Sequence, residues 1–361
     1  MPLVVWIILG VFAAIALGLF AFHLYIFTRY IPFVIRGFQE KPLFIPPTGQ
    51  PAPDAEDVDI PTTNGLTLKG AYFKARLLHQ GGGSTRKGVI LFGLEFGSNR
   101  WACVSYTDFL RDQGYDIFTF EMRGQGESPS HAGYDPLQWV TEFELDDFRA
   151  AARYLKARPD ADPKGFGLFG ISKGGSAGLL LAAEEPAIKC CATDGVFAAH
   201  TTMVPYMQRW IHIYTPRSWI ANMLPHAYYA YAANYSLRKI AKARHCRFPS
   251  LERAMARLAP RPLLMIHGGG DNYIKPQMAQ SLFDRARGPK EFWLVNKAKH
   301  NQALDLAGDE YRRRVLEFFD KHLAGPTAPA GPEVPAPDVP PAVECNGLGH
   351  REDAVSQWQK N

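Results

Sequence analysis

The chain has 361 residues, of which 47% are hydrophobic and 21% charged, enough to bury one large α/β core with accessory segments. Its net charge of +5 is small for this length, and no basic–aromatic pattern points to nucleic acid. The five cysteines form no CxxC and the chain has no HExxH, so neither a metal site nor a cofactor is expected.

Residues 3–22 are an unbroken run of apolar residues and glycine, and low polarity continues through Leu24-Tyr25-Ile26-Phe27. At about 1.5 Å per residue such a run crosses a hydrocarbon core of roughly 30 Å. A cleaved signal peptide would carry a basic leading region and a small-residue cleavage site, and neither is evident. A retained anchor over residues 1–28 is therefore favoured, with the lipid bilayer as a partner. Arg29, Arg36 and Lys41 all follow the run, and no lysine or arginine precedes it. By the positive-inside rule a single-pass protein is expected, with the chain after the run, and so its main domain, in the cytoplasm. Unpaired cysteines fit that reducing compartment.

Residues 29–57, rich in proline and small polar side chains from Pro42 onward, read as a linker. Gly81-Gly82-Gly83 lacks the spacing of a phosphate-binding loop and reads as a flexible turn. From Gly88 strands and helices alternate. Strands are expected over 88–92, 165–169, 188–193, 262–268 and 291–295, and helices over 100–113, 139–156, 172–185, 277–287 and 310–322. This alternation predicts a mostly parallel sheet with helices on both faces.

The strand ending at Phe169 runs into Gly170-Ile171-Ser172-Lys173-Gly174-Gly175 and then an alanine- and leucine-rich helix. This is G-x-S-x-G in a strand–turn–helix context, which holds a serine in a strained turn above the sheet. Glycines 170 and 174 allow the close approach of strand and helix that the turn needs. Ser172 is the expected nucleophile, at a helix N-terminus whose dipole favours an oxyanion.

A serine hydroxyl needs a base, and the base needs an orienting carboxylate. Asp271 follows the strand 262–268, and His300 follows the strand 291–295, in the chain order Ser…Asp…His. Asp194, at the end of the strand 188–193, is the alternative acid. Asp271 is preferred because the glycines before it permit a tight turn. His267 reads as a packing or hydrogen-bonding residue at its strand end.

Residues 198–259 interrupt the alternation where a cap would be inserted. They are dense in aromatics and methionine: Met203, Tyr206, Met207, Trp210, Tyr214, Trp219, Met223, Tyr228, Tyr229, Tyr231 and Tyr235. These side chains suit both the packing of a small helical subdomain and an apolar substrate pocket. Arg238, Lys239, Lys242, Arg244 and Arg247 form a basic cluster, by default a solvated face and alternatively a contact for anionic headgroups or a phosphorylated substrate. From residue 324 the chain repeats proline and alanine and is expected to be disordered.

These motifs resemble the α/β-hydrolase superfamily over about residues 58–323. Asn64 to Gly70 resembles the turn of its first hairpin, and Glu121-Met122-Arg123-Gly124-Gln125-Gly126-Glu127-Ser128 resembles its D-x-R-G-x-G-x-S segment, with glutamate in first place. Around the nucleophile the chain is similar to acyl-CoA thioesterases and bile-acid-CoA acyltransferases. From Asp271 to His300 it is similar to serine-aminopeptidase-type and Bem46-type hydrolases. Phe92-Gly93-Leu94 stands where the superfamily has H-G-x. The resemblance implies an oxyanion hole formed by the backbone N–H of Lys173 and that of Leu94, with Glu95 the next candidate.

The sequence therefore predicts an α/β-hydrolase fold with a helical cap and a transmembrane helix. Its expected function is that of a membrane-anchored serine hydrolase cleaving a small-molecule ester or thioester through an acyl-enzyme. An aminopeptidase-type amide hydrolase, an acyltransferase and a non-catalytic binding protein of the same fold are the alternatives.

Overall fold

The computed structural model describes residues 3–41, 46–76, 86–214, 219 and 223–324. The triple glycine and the proline-rich tail lie outside them. Eight strands form one sheet in the order β1-β2-β4-β3-β5-β6-β7-β8. The strands are β1 (Ala55–Pro61), β2 (Thr67–Phe73), β3 (Gly88–Gly93), β4 (Tyr115–Phe120), β5 (Phe166–Ile171), β6 (Ile188–Asp194), β7 (Leu263–Gly268) and β8 (Lys290–Val295). The β1–β2 and β2–β4 pairs are antiparallel, and every other pair is parallel. Strands β3, β4, β5 and β7 are buried at every position. That is why they read as continuous apolar runs rather than alternating ones.

One sheet face is covered by α3 (Cys103–Arg111) and α11 (Asp309–Phe319). The other is covered by α4 (Glu142–Ala157), α5 (Ser172–Ala182), α8 (Leu251–Met255) and α9 (Pro276–Arg285). The expected helices form at their places, with ends shifted by up to three residues. Helix α4 starts at Glu142 rather than Trp139 because Thr141 caps it, its hydroxyl accepting from Phe143 N while Glu144 reaches back to Thr141 N. The short helix α10 (Ala303–Ala307) carried no sequence signal. The cap between β6 and β7 contains α6 (Ala199–Tyr214) and α7 (His226–Ala243), followed by α8.

At the N-terminus, α1 (Leu3–Arg29) leaves its apolar side chains exposed along most of its length. It is long and apolar enough to cross a membrane. Residues 29–57, expected to be a linker, are instead largely built into the fold. Helix α2 (Ile31–Gln39) buries Ile31, Val34 and Phe38, and β1 starts at Ala55. Phe38 stacks on Trp139 with ring centroids 4.1 Å apart, and the Trp139 indole N–H donates to Phe38 O at 2.7 Å. The linker expectation weighted the prolines and overlooked the i, i+3, i+7 apolar spacing of Ile31, Val34 and Phe38.

Candidate active site

Ser172 is the first residue of α5, directly after β5, and its φ of 51° is left-handed. The strain is held by backbone contact. A Cβ on Gly174 would sit 2.3 Å from Gly93 C and Leu94 O, and one on Gly170 would sit 2.5 Å from Gly175 Cα. Only glycine fits, so β3, β5 and α5 converge on the serine. The same contact sets the loop after β3 beside Lys173, whose N–H lies in the first turn of α5 and has no intrahelical partner.

The structure brings Ser172, His300 and Asp271 into one hydrogen-bonded chain. Ser172 Oγ lies 3.0 Å from His300 Nε2, and His300 Nδ1 lies 2.7 Å from Asp271 Oδ2. The other carboxylate oxygen of Asp271 accepts from Tyr273 N and Ile274 N, each at 2.8 Å. Those bonds fix the carboxylate's direction. His267 is fully buried beneath the acid loop, with Nε2 2.8 Å from Ile274 O, and burial lowers its pKa.

Asp194 is not part of this chain. It is buried and accepts from the Tyr311 hydroxyl at 3.2 Å, while its Oδ1 has no hydrogen-bond partner among the described residues. Burial pushes its carboxyl up to about 7. Glu95 is also buried, and burial raises its pKa. It accepts from Asn301 Nδ2 at 2.5 Å and from the Tyr106 hydroxyl at 3.3 Å. Glu95 therefore ties the loop after β3 to the loop that carries His300, a role the sequence did not disclose.

A second unpredicted feature lies under the nucleophile. The Lys173 side chain is fully buried, and its ammonium donates to Leu137 O at 2.6 Å and to Glu144 Oε1 at 2.8 Å. Burial would raise the pKa of Glu144, but the Lys173 charge and hydrogen bonds from Lys173, Thr141 and Tyr134 hold it below the usual range. The spacing Thr141-x-x-Glu144 was the available signal. The Glu121 to Ser128 segment is an internal brace. Glu121 accepts from Arg100 and from Glu127 N, and Arg123 pairs with Asp147 with both side chains fully buried.

A cleft of about 850 Å³ opens on His300. Its walls include Tyr273, Tyr106 and Glu95, and also Pro46, Pro47 and Thr48 from the segment after α2. That segment is pinned: Ser98 Oγ donates to Pro47 O at 2.7 Å, and Asn99 and Gly49 exchange two hydrogen bonds of 2.9 Å. Of the cap aromatics, Tyr206 reaches the site through a 2.6 Å hydrogen bond to Tyr273 O. Met203, Met207 and Tyr229 pack in the cap core, whereas Tyr228, Tyr231 and Tyr235 face α1. Side chains at 211–218 lie outside the described residues, Tyr214 among them. Within the basic cluster, Arg244 donates to Asp135 O at 2.5 Å, and Arg238, Lys239, Lys242 and Arg247 are exposed.

The uncharacterized protein YfhR of Escherichia coli is 29% identical over 229 residues, covering 62% of this chain and 65% of YfhR, just under two thirds of its length. An uncharacterized Mycobacterium tuberculosis protein is 25% identical over 290 residues, covering 77% of this chain and 88% of its own. Among solved structures, an esterase from Pyrococcus furiosus superposes with a TM-score of 0.56 at 20% identity, covering 79% of this chain and 97% of the esterase. The α/β hydrolase GrgF from a Penicillium species gives a TM-score of 0.56 at 16% identity, with 75% and 99% covered. Both establish the α/β-hydrolase fold. Residues 101–326 match the Prolyl oligopeptidase family, a span that includes Ser172, Asp271 and His300. The chain belongs to the prolyl oligopeptidase family of α/β-hydrolase-fold serine hydrolases.

Proposed function

We propose that this protein is a membrane-anchored serine hydrolase that cleaves a carboxylic ester or thioester through an acyl-enzyme. The observation that carries the reading is the relay from Ser172 Oγ through His300 to Asp271, at 3.0 and 2.7 Å. In this reading His300 takes the Ser172 proton as the hydroxyl attacks the carbonyl carbon. Asp271 orients the imidazole and stabilises its cationic form. The N–H groups of Lys173 and Leu94 receive the oxyanion. His300 then protonates the leaving group, and water, activated by the same imidazole, releases the acid.

The test is Ser172→Ala. It should abolish fluorophosphonate labelling and lower turnover of an activated ester by about 10⁴ to 10⁶. Unchanged labelling of the folded variant would remove Ser172 from the role.

A second reading, amide cleavage, is favoured by the family to which the chain belongs. Peptidyl amides with proline before the scissile bond, compared with esters of matched acyl group, separate the two. The anchor reading rests on α1, which continues unbroken past the apolar run into contacts with the cap. The basic residues after the run favour a cytoplasmic catalytic domain. Protease protection in sealed vesicles, with a tag at the C-terminus, reads that orientation.

A further inference from the structure

Cap helix α7 is packed along the N-terminal helices in one direction. His23 Nδ1 lies 3.1 Å from the Tyr228 hydroxyl, and the His23 ring is 5.9 Å from that of Tyr228 and 6.1 Å from that of Tyr231. One turn later Phe27 touches Tyr228 and Tyr231 and also reaches Tyr235, at 5.1 Å. Further on, Arg244 Nη1 lies 3.4 Å from Gln39 Oε1. Contacts therefore advance together on both sides, and α7 runs parallel to α1 and α2. The amino-terminal end of α7 points back toward the apolar run.

His23 is the first polar side chain after that run, so Tyr228 stands at the level where α1 stops being wholly apolar. Residues just before Tyr228 lie on the apolar side of that level. Met223, three residues before α7 begins, is 70% exposed, and Tyr231, packed against His23 and Phe27, is 52% exposed. Large apolar side chains left open beside a spanning helix are suited to the headgroup–acyl boundary, where aromatic rings with one polar end concentrate.

We infer that the amino-terminal end of α7 is seated in the surface of the bilayer that α1 crosses, making the cap itself a membrane contact. This rests on the anchor reading above. Continuity with α1 is what selects lipid rather than protein as the occupant.

The test uses the full-length chain reconstituted in phosphatidylcholine vesicles, in a Cys345→Ser background; the described cysteines, Cys103, Cys190, Cys191 and Cys246, are all buried. An environment-sensitive fluorophore is placed at Leu17→Cys, Met223→Cys or Lys164→Cys, and quenching by spin-labelled lipid is read. Tyr231→Cys serves if Met223→Cys fails to fold. Lys164 is exposed before β5, at the opposite end of that strand from Ser172.

The expected result is that the probes at 17 and 223 lose most of their fluorescence while the probe at 164 keeps its own. Quenching at 17 without quenching at 223 or 231 overturns the seating and leaves the anchor standing. A blue shift at 223 that spin-labelled lipid does not quench identifies a second protein copy as occupant and also overturns it. No quenching at 17 overturns the anchor reading and this inference together.

Discussion

Lys173 and Glu144 form an ion pair at 2.8 Å with both side chains fully buried, one residue past the nucleophile. The pair joins the first turn of α5 to the first turn of α4, so the strained turn at Ser172 is braced from below. Glu144 also accepts from Thr141 and Tyr134, so its carboxylate is well satisfied only while the ammonium stays in place.

Lys173→Met keeps the volume and removes the charge. It strands a buried carboxylate, so it should cost about 3–5 kcal/mol of stability. Glu144→Gln should cost less, because the carboxamide still accepts from Thr141 and the ammonium still donates to Leu137 O. Urea denaturation of the two variants checks the order. Equal and small losses would mean that the pair braces nothing.

The two carboxylates weighed from the sequence should separate cleanly. Asp271→Asn should lower kcat/KM for an activated ester by about 10⁴, because the amide no longer holds the imidazole in the required tautomer. Asp194→Asn should change it by less than about 10-fold, since it makes no hydrogen bond to His300. Stability distinguishes them in the other direction. The folded pKa of Asp194 is raised by burial to about 7, above its unfolded value. Its contribution to stability is therefore fully present below about pH 4 and lost as pH rises to about 7. Asp194→Asn should remove that loss, so its melting temperature should gain on wild type more at pH 8 than at pH 5. A constant difference across that range would exclude the titration of Asp194 from the stability profile.

The sheet was legible because its central strands are buried on both faces and read as apolar runs bounded by glycine. The Ser172 turn was legible because glycine is required on both sides of it. Asp271 and His300 were placed by strand ends and chain order, which carry no information about side-chain angles. Buried polar pairs were not legible. The spacing Thr141-x-x-Glu144 marks a helix cap, but nothing marks Lys173, Glu144 or Glu95 as buried until the helices and loops that enclose them are in place. Residues 31–41 and 46–49 were misread for a related reason: prolines signal a break in local structure but say nothing about a long-range partner such as Trp139 or Asn99.

That misreading makes the boundary of the folded unit a direct prediction. Removing residues 1–28 takes away the apolar run and the contacts of His23 and Phe27 with the cap, but it leaves α2 and the segment lining the cleft. The product should fold, remain active on short water-soluble esters and no longer sediment with membranes. Removing residues 1–57 also deletes Ile31, Val34 and Phe38, all buried, together with Pro46 to Gly49 and the first half of β1. Three large buried side chains at about 1.5–3 kcal/mol each amount to about 5–9 kcal/mol. That approaches the whole stability of an ordinary domain, about 5–15 kcal/mol. The longer deletion should therefore be insoluble or molten, and any folded fraction should show an altered KM because one wall of the cleft is gone. Circular dichroism melts and ester kinetics on both truncations check this. If the 58–361 fragment melts cooperatively with wild-type KM, then α2 and the segment after it are accessories and the catalytic domain begins where the linker was expected to end.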